Sequence, residues 1–400
     1  MVSPAVISGY TICNRCVMDT SDQHIEFDEY GICNHCRYYD EKIAPALLTS
    51  EEKRRQLSKV VARIKKVGAK KKYDCIAGLS GGKDSSYVCY LAQKYDLRAL
   101  IVHFDNGWDS ELAIRNIENI VTTTGFDYYN YIVDWDEFRD LQLAYFKASV
   151  VDIEAPTDLG IFSLLPKIAS QMGVHYILMG QNPETESIMG ADWNFPYKNY
   201  RANLLAIHSK YGELKLRTFP MLTPLEKRLH KDIKKIDSVN ILNYEECNYK
   251  IIEKTLKEKF DWKDYEVKHG ESIFTRFYQS YVLPKKFGFD KRRAHFSSLI
   301  CSGQMLRSRA LEEIQKNTYT ATALLEEKEY IISKWQLDEK EFERIMELPP
   351  VSHYSYPIKG EPTKDVVLAK VASPFLAVLA LFLIAANKLA QVFGSVFSTR

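Results

Sequence analysis

The stretch that decides the fold is YDCIAGLSGGKDSSYVCYLAQKY, which runs from Tyr73 to Tyr95. Its first residues are mostly apolar and predict a strand, and its last residues have the apolar spacing of a helix. Between them stands a loop of small residues that begins at Ser80. A loop of this kind between a strand and a helix is typical of phosphate binding, because the free N–H groups at the helix start attract an anion.

Two common phosphate-binding motifs do not fit this loop. The Walker loop requires G-x-x-x-x-G-K-[ST], but its first glycine would fall on Ala77, and Asp84 follows the lysine. The dinucleotide fingerprint requires G-x-G-x-x-G, but Ser80 stands two positions after Gly78. The loop therefore indicates another class of nucleotide-binding protein.

The hexapeptide SGGKDS, from Ser80 to Ser85, resembles the pyrophosphate-binding loop of the PP-loop ATP pyrophosphatases. In that superfamily the loop holds the β- and γ-phosphates of ATP, so the resemblance implies transfer of AMP to a substrate and release of pyrophosphate. The residue types suit polyphosphate binding, because glycine lets the backbone approach the phosphates, hydroxyl groups donate hydrogen bonds, and a lysine offsets negative charge. The expected nucleotide-binding residues are Ser80, Gly81, Gly82, Lys83, Asp84, Ser85 and Ser86.

Two of these residues are also expected to act in catalysis. Lys83 is a candidate for stabilising the charge that develops during AMP transfer. Asp84 is placed either to cap the following helix or to hold Mg²⁺. Arg217, in LRTFP, and Arg292 or Arg293, in DKRRAH, are further candidate cations. For the arginines, ordinary salt bridges or contacts with a substrate nucleotide are the alternative.

Strands and helices alternate after the loop. Apolar segments predict strands in LRALIVHFDNG, DYYNYIVD and HYILMG, and helices over about 136–149 and 157–172. This alternation predicts an α/β fold with a doubly wound parallel sheet, which the PP-loop resemblance implies is adenine nucleotide alpha hydrolase-like. Ligands bind beyond the C-terminal ends of the strands in such sheets.

By the same resemblance, further nucleotide contacts are expected where these strands end. The residues concerned are Asp105, Asn106, Gly180, Gln181, Asn182 and Glu186. Glu186 is expected near the metal ion or the pyrophosphate. The alternative for Asp105 is a plain turn residue, and for Glu186 it is a charge at a helix start.

Composition sets broad limits on the function. A chain of 400 residues suits two or three domains, and 46% hydrophobic with 26% charged residues is ordinary for a soluble enzyme. A net charge of +2 lacks the strongly basic footprint of an RNA-binding protein, so nucleic acid is not an expected partner. No apolar signal segment follows Met1, and we therefore expect a cytoplasmic protein.

Two cysteine pairs near the N-terminus indicate a metal site. CNRC holds Cys13 and Cys16, and CNHC holds Cys33 and Cys36. Two C-x-x-C knuckles at this separation are typical of a zinc ribbon, in which four thiolates close a tetrahedron and leave no position for substrate. We therefore predict structural Zn²⁺, with a strand, a turn at Gly31 and a return strand between the pairs. His35 is expected outside the metal shell.

Longer blocks of the chain, from about Thr11 to about Leu348, resemble one family. CVMDTSD, GLSGGKDSSY, HFDNGWDSELAIRNIENI, EAPTDLGIFSLLPKIA, LMGQNPETES and DKRRAHFSSLICSGQM are similar to segments of the N-acetyl sugar amidotransferases. These serve lipopolysaccharide O-antigen and nonulosonic acid biosynthesis, which includes pseudaminic acid. The resemblance implies an ATP-dependent enzyme that adenylates an acetamido oxygen of a sugar and replaces it with ammonia, which gives an acetamidino group.

The ammonia is expected from another protein. A class I glutaminase needs a nucleophilic cysteine in a turn such as G-x-C-x-G, and Cys301 in LICSGQ does not match. Cys75, Cys89 and Cys247 fit no better. The family resemblance implies a separate glutaminase subunit, similar to that of imidazole glycerol phosphate synthase, together with a cyclase-like channel subunit. The acceptor, a sugar that is either nucleotide-linked or free, is not specified by the sequence.

Two rival functions stay open. A tRNA-modifying PP-loop enzyme that performs thiolation can also carry a zinc ribbon, but it usually needs catalytic cysteines near the nucleotide, and Cys75 and Cys89 are predicted in a core strand and in the loop's helix. The other rival is a nucleotide-binding scaffold with a decayed site, which the intact hexapeptide disfavours.

We predict five segments along the chain. They are a zinc ribbon at 10–40, a linker helix at 41–72, a PP-loop ATP-binding domain at 73–236, a helical substrate or partner domain at 237–350, and an apolar tail at 365–400. TSEE offers a capping box for the linker helix. The tail has an almost uninterrupted apolar run over 371–386. It predicts either docking on protein or association with the inner face of the membrane, with a non-native terminus as a third possibility.

The helical domain offers candidates for the acceptor pocket. The family resemblance implies that RFYQSY and DKRRAH belong to this pocket. His295 is a candidate acid or base there, and a structural role is the alternative. The aromatic residues of this region have helical spacing, which favours a core role over a sugar platform. They are Phe274, Phe277, Tyr278 and Tyr281.

Overall fold

The structure, a computed structural model, describes residues 9–196, 201–246, 248–265 and 270–357. The predicted apolar tail and Cys247 lie outside the described residues. Within the described ranges, no helix combines the length and the apolar character needed to cross a membrane.

One parallel sheet organises the middle of the chain. Its five strands stand in the order β3-β2-β1-β4-β5, and every neighbouring pair is parallel. The α/β fold with a doubly wound parallel sheet is therefore confirmed. The strands are β1 Cys75–Gly78, β2 Ala99–Asp105, β3 Asp127–Ile132, β4 Tyr176–Met179 and β5 Asp237–Asn240.

Strand β5 was not predicted. It lies in a segment that the sequence assigned to the helical domain, and it pairs with β4 from Asp237 opposite Tyr176 to Asn240 opposite Met179. Its four residues are polar except Val239, which is the only one of them that is buried. A strand this short and polar has no apolar alternation, so pairing with β4 determines its structure.

The described residues contain fifteen α-helices, and several of these continue at their C-terminal ends into π-helical turns. The linker helix predicted after TSEE is α2, and Thr49 and Glu52 form its capping box. The helices are α1 Asn34–Tyr38, α2 Ser50–Gly68, α3 Lys83–Lys94, α4 Glu111–Thr124, α5 Trp135–Lys147, α6 Ala155–Gln171, α7 Pro183–Glu186, α8 Arg201–Tyr211, α9 Pro224–Arg228, α10 Tyr249–Phe260, α11 Ile273–Phe277, α12 Arg292–Cys301, α13 Arg307–Gln315, α14 Ala321–Trp335 and α15 Glu339–Glu347.

The middle of the sheet is covered on both faces, as the apolar strands β1 and β2 require. Cys75 and Ala77 of β1 point into a core formed with α2, α3, α4 and α10. Ile76 points the other way, into a core formed with α6. This alternation along the strand places β1 at the centre of a three-layer sandwich.

A third and larger core holds the helical part together. It joins α5 and α8 to the helices after residue 270, and it also contains the four N-terminal cysteines. Phe274, Phe277 and Tyr278 are buried in it, and Tyr281 packs partly buried against it. The aromatic residues at helical spacing are therefore core residues.

Candidate active site

The predicted phosphate loop lies where the strand order reverses. The chain runs from β1 outward to β2 and β3 on one side, while β4 and β5 continue the sheet on the other. In doubly wound sheets this reversal opens a crevice at the C-terminal strand ends. The glycine that follows β4 closes up against the loop, because a Cβ atom on Gly180 would lie 3.2 Å from the backbone carbonyl carbon of Asp84.

The conformation of the loop requires glycine. Gly81 has a φ of +80°, and a Cβ atom there would lie 2.9 Å from the carbonyl oxygen of Ala113. The carbonyl oxygen of Gly81 accepts hydrogen bonds from Trp262 Nε1 at 2.9 Å and from Tyr265 Oη at 3.0 Å. On the other side of the same peptide group, the N–H of Gly82 donates to Ser80 Oγ at 3.3 Å, within the loop.

Two serine hydroxyls brace the loop from inside. Ser85 Oγ lies 3.1 Å from Ser80 Oγ, accepts from the N–H of Ser80 at 3.2 Å, and donates to the carbonyl of Gly82 at 3.1 Å. The N-cap of α3 is Gly82, which brings no side chain to satisfy the first N–H groups of the helix. The helix start is thus built to receive an anion, as a polyphosphate requires.

Lys83 begins α3 and is held by carboxylates on the opposite side of the cleft. Its Nζ lies 3.3 Å from Glu253 Oε2 and 3.4 Å from Asp264 Oδ2, and it stands 4.4 Å from the centre of the Tyr249 ring. The lysine, whose side chain is 12% exposed, is therefore held at the rim of the loop by two partly exposed carboxylates.

A cleft of about 1200 Å³ extends from the loop to the helical part of the chain. Single small-molecule sites are about 300–1,000 Å³, so this cleft has room for a nucleotide and a second substrate. Its far wall includes residues of both predicted acceptor motifs, Gln279 and Ser280 from RFYQSY, and Asp290, Lys291, Arg292 and His295 from DKRRAH.

Eight of the residues predicted at the nucleotide line this cleft. They are Ser80, Gly82, Lys83, Asp84, Ser85, Gly180, Gln181 and Glu186. The structure does not bring the other predicted residues to the cleft lining. These are Gly81, Ser86, Asp105, Asn106, Asn182 and Arg217.

The positions of these six residues have local explanations. Asp105 Oδ1 accepts from the N–H of Gly107 at 2.9 Å, which is the turn contact that was the alternative for it. Asn106 closes the same turn through the N–H of Trp108. Asn182 is the N-cap of α7 and accepts from the N–H of Thr185.

The remaining three face elsewhere. Ser86 is fully buried in the first turn of α3. The side chain of Arg217 is exposed, while its N–H donates to the carboxylate of Glu137. Gly81 shapes the loop through its φ angle rather than by lining the cleft.

Sequence reasoning missed several residues that line the cleft. Tyr249 of α10 lies among the charges of Asp84, Glu186, Glu271 and Asp264, and burial together with these negative charges raises its pKa well above the usual value. Glu271 approaches the loop so closely that a Cβ atom on Gly82 would lie 2.6 Å from Glu271 Oε1. Both follow β5 in the chain, so no local pattern pointed to them.

The two candidate arginines of DKRRAH make structural contacts. Arg292 lines the cleft, but its guanidinium binds Asp290 and the carbonyl groups that end α13. Arg293 is buried and pairs with Asp19 at 2.9 Å, and it donates to the carbonyl of Val17 at 2.8 Å. The salt-bridge alternative therefore describes both arginines.

The four N-terminal cysteines form one buried cluster. Their sulfur atoms all lie within 4.8 Å of one another, with 3.9 Å between Cys13 and Cys36 and 3.6 Å between Cys16 and Cys33. Four thiolates at about 2.3 Å from a tetrahedral zinc ion stand about 3.8 Å apart, so the cluster has the dimensions of a Cys₄ metal site.

The surroundings of the cluster differ partly from the expectation. His35 Nε2 lies 2.6 Å from Asp22 Oδ2 and outside the sulfur cluster. Gly31 makes the expected turn with a φ of +72°. The two predicted strands are reduced to a single antiparallel bridge between Phe27 and Cys33. Several backbone N–H groups of this small module donate to cysteine sulfurs instead of forming a β-ladder.

The cysteine module (residues 10–40) is fastened to the helical part of the chain. Arg307, at the start of α13, donates to the carbonyl oxygens of Cys13 and Cys16 at 2.7 and 3.0 Å. Ser297 of α12 accepts from the N–H of Val17 at 3.2 Å. The module therefore supports the two helices that form the far wall of the cleft.

No described cysteine lies in the cleft lining. Cys75 and Cys89 are fully buried in β1 and α3, and burial raises the pKa of both thiols, that of Cys89 to about 12. Cys301 ends α12 with its sulfur 3.8 Å from that of Cys36.

Comparison of the chain with known proteins identifies its C-terminal part. Residues 271–369 match the family model of the LPS biosynthesis protein WbpG-like, C-terminal domain. No curated protein matches the chain significantly.

Solved structures with a similar arrangement include two synthetases. An NH3-dependent NAD synthetase from Campylobacter jejuni is 13% identical, covers 55% of this chain and 99% of its own, and has a TM-score of 0.29. An NMN synthetase from Francisella tularensis is 12% identical, covers 67% of this chain and 92% of its own, and has a TM-score of 0.31.

The WbpG-like segment begins at Glu271, the residue whose carboxylate reaches the SGGKDS loop, and it supplies the far wall of the cleft. Its match agrees with the blocks by which the sequence resembled enzymes of surface-polysaccharide biosynthesis. Residues 271–369 are therefore similar to the C-terminal domain of a WbpG-like protein of lipopolysaccharide biosynthesis.

Proposed function

We propose that the chain is an ATP-dependent amidotransferase that converts an acetamido group of a sugar into an acetamidino group. The observation that carries the proposal is a cleft among the described residues that the SGGKDS loop and the WbpG-like segment line together. A loop that holds the outer two phosphates of ATP would direct the α-phosphate toward that domain. The acceptor would lie against the wall that Gln279, Ser280 and His295 form.

The proposed reaction needs an activated oxygen. The acetamido oxygen attacks the α-phosphorus, and the bond between this phosphorus and the bridging oxygen to the β-phosphate breaks, which releases pyrophosphate. Ammonia then adds to the imidate carbon and loses a proton, and AMP leaves with the former acetamido oxygen. Lys83 at the rim of the loop is proposed to offset the charge of the leaving pyrophosphate.

Magnesium and zinc have separate places in this proposal. Asp84 and Glu186 line the cleft on the loop side and carry the carboxylate oxygens that Mg²⁺ prefers. They would hold the ion, which supplies charge neutralisation of the phosphates. Zn²⁺ would occupy the Cys₄ cluster in a structural role, because four thiolates leave no open position.

The source of ammonia is proposed to be a separate glutaminase subunit with a cyclase-like channel subunit. The support is indirect: the described lining of the cleft carries no thiol that could act as a glutaminase nucleophile. In the test, ammonium salts replace these partners. A cytoplasmic location is proposed with it, since ATP and glutamine are cytoplasmic substrates.

The test is a product analysis with purified protein. Candidate acetamido sugars, free and nucleotide-linked, are incubated with ATP, Mg²⁺ and ammonium chloride, and the nucleotides and sugars are separated and weighed by mass spectrometry. We expect AMP and pyrophosphate, and a sugar about one mass unit lighter, as replacement of an oxygen by NH requires. Accumulation of ADP and orthophosphate would contradict the proposal.

The thiolation of tRNA is less well supported. Such a reaction needs a reactive sulfur near the nucleotide, whereas Cys75 and Cys89 are sealed in the core of the sheet. Retention of RNA by the purified protein in moderate salt would favour that function instead. A decayed scaffold would bind ATP without any turnover in the same assay.

A further inference from the structure

A buried histidine lies directly beneath the nucleotide loop. His103, on strand β2 next to the central strand β1, is 4% exposed. Its Nδ1 lies 2.7 Å from the carbonyl oxygen of Leu79, the last residue before the loop. Its Nε2 lies 2.8 Å from Asp109 Oδ2.

Both neighbours of the ring are hydrogen-bond acceptors. A backbone carbonyl and a carboxylate have no proton to donate, so each bond requires an N–H on the imidazole side. A neutral imidazole carries only one N–H, and the other nitrogen would then face an oxygen lone pair in a buried place. The two contacts are satisfied together only by the doubly protonated ring.

The surroundings favour this charged form. Burial alone would lower the pKa of His103, but the hydrogen bond and the negative charge of Asp109, with the carbonyl of Leu79, outweigh burial and raise the pKa above its ordinary value. The two charges compensate each other, as buried ionised groups must.

The contact fixes one particular peptide group. The peptide between Leu79 and Ser80 is held at its oxygen by His103 and at its nitrogen by Ser85 Oγ, at 3.2 Å. This peptide sets the direction in which the chain leaves β1 and enters the loop. Through Asp109, whose backbone bridges to Ser272, the same ring is connected to the beginning of the WbpG-like domain.

We propose that His103 is a positioning residue for the nucleotide loop, held doubly protonated between Leu79 and Asp109, so that binding of the ATP polyphosphate depends on this proton. The proposal rests on the proposed function only in taking ATP as the ligand. Loss of the proton removes one of the two hydrogen bonds and sets a nitrogen lone pair against an oxygen, which loosens the entry to the loop.

Two tyrosines near the ring keep their protons in the same range. Asp105 on the same strand adds a second negative charge near the ring. Tyr128 of β3 has its pKa raised to about 12 by burial and by the charges of Asp109 and Asp105. Burial and the charges of Glu271 and Asp109 also raise the pKa of Tyr265.

The first experiment observes the ring itself. Full-length protein labelled with ¹⁵N-histidine is titrated by NMR, and the His103 signals are assigned with H103Q. We expect two protonated ring nitrogens at pH 7 and a transition to one at a pH above the ordinary value of about 6.5 for histidine. An unprotonated ring nitrogen at pH 7 would overturn the proposal without reference to any nucleotide.

The second experiment connects the proton to binding. Calorimetry with α,β-methylene-ATP and Mg²⁺ from pH 6 to pH 9 should show an affinity about tenfold to hundredfold weaker once the ring is neutral. H103Q keeps a donor but cannot titrate, so it should bind weakly at pH 7 with no step. D109N should move the step to lower pH, because the charge that holds the proton is gone. The ligand also changes its ionisation with pH, but this contribution is the same for all variants and cancels when they are compared.

A matched control is available elsewhere in the chain. His208 of α8 forms a similar pair with Asp140 at 2.9 Å, away from the cleft. H208Q should retain both the wild-type affinity and the step. A step that survives in H103Q would refute the role of His103, whereas absence of nucleotide binding in the wild type would refute the proposed function.

Discussion

The indole nitrogen of Trp262 donates a 2.9 Å hydrogen bond to the carbonyl oxygen of Gly81, across 181 positions of the chain. Tyr265 donates to the same oxygen at 3.0 Å. The segment after α10 therefore fixes the orientation of the phosphate loop at the start of α3. These two hydrogen bonds act on the loop backbone and not on the phosphates.

Replacing this indole should weaken nucleotide binding. W262F removes one donor and keeps the aromatic volume, while Tyr265 still holds the carbonyl, so we expect the Kd for ATP to rise about fivefold to tenfold. Calorimetry measures this. W335F is the matched control, since Trp335 Nε1 donates at 3.0 Å to Gln142 in the helical core. Equal affinity in both variants would show that the loop needs no such support.

Removing the charge of Lys83 should slow AMP transfer. K83M is expected to lower kcat for AMP formation about 10²- to 10³-fold, the usual cost of losing one group that stabilises developing charge. K94M changes the last residue of the same helix, where the lysine pairs with Glu245 at 3.3 Å, and should leave the rate unchanged. The rate is read from pyrophosphate release. A fall that is the same in both variants would point to the helix rather than to the charge.

The cysteine cluster should hold one zinc ion per chain. C33S is expected to lose the metal and to lower the thermal midpoint, because a Cys₄ site contributes folding free energy directly. C301S should retain full zinc content, since Cys301 lies beside Cys36 but outside the set of four mutually close sulfurs. Elemental analysis of dialysed protein decides between them. Loss of zinc in C301S would make it a ligand.

The two thiols of the sheet should be inert in the folded protein. With a pKa of about 12 for Cys89, only about one molecule in ten thousand carries its thiolate at pH 8, and the thiolate is the reactive form. Iodoacetamide at pH 8 should therefore leave Cys75 and Cys89 unmodified in native protein and alkylate both in urea. Peptide mass spectrometry gives the result. Rapid native labelling of either would reopen the thiolation hypothesis.

The entry to β1 should contribute an acid-sensitive part of the stability. Asp74 accepts from Arg98 Nη2 at 2.6 Å and from its N–H at 2.8 Å. Burial would raise the pKa of Asp74, but these bonds outweigh it and lower the pKa. The stabilisation is thus complete above the ordinary aspartate value and is lost as pH falls through the lowered one.

D74N should then cost about 1–2 kcal/mol of unfolding free energy at pH 7, since the side chain of Arg98 is half exposed and solvent screens the pair. Urea denaturation should show this difference shrinking below about pH 4. D96N, whose carboxylate is exposed beside Lys65, is the control and should change little. A D74N penalty that is independent of pH would indicate lost packing instead.

Local sequence patterns were sufficient to predict most of the fold and part of the site. The strand, loop and helix around Ser80, the capping box at Thr49 and the pairing of the cysteines each depend on residues close in sequence, and each was predicted. Strand β5 was missed because its pairing with β4 alone makes it a strand. Tyr249 and Glu271 were missed because the fold brings them about 170 to 190 positions back to the loop.

The nucleotide contacts predicted at the end of β2 are not among the residues that line the cleft. Asp105 and Asn106 follow β2 at the expected edge, but their side chains are used in the turn that leads to Trp108. His103, two positions before Asp105, lies under the loop. It was not predicted as a site residue, because a single histidine in an apolar strand matches no motif. Which residue of a strand end faces the ligand depends on the pleat and on the turn, and spacing alone does not specify it.

The bond between Arg293 and Val17 joins positions 276 residues apart, and this has a consequence for biosynthesis. The ribosome synthesises both cysteine pairs long before it synthesises α12, the helix that carries Arg293. During translation the cysteine module therefore lacks this contact until about three quarters of the polypeptide has been made, and the cleft wall that it supports can be completed only after that point.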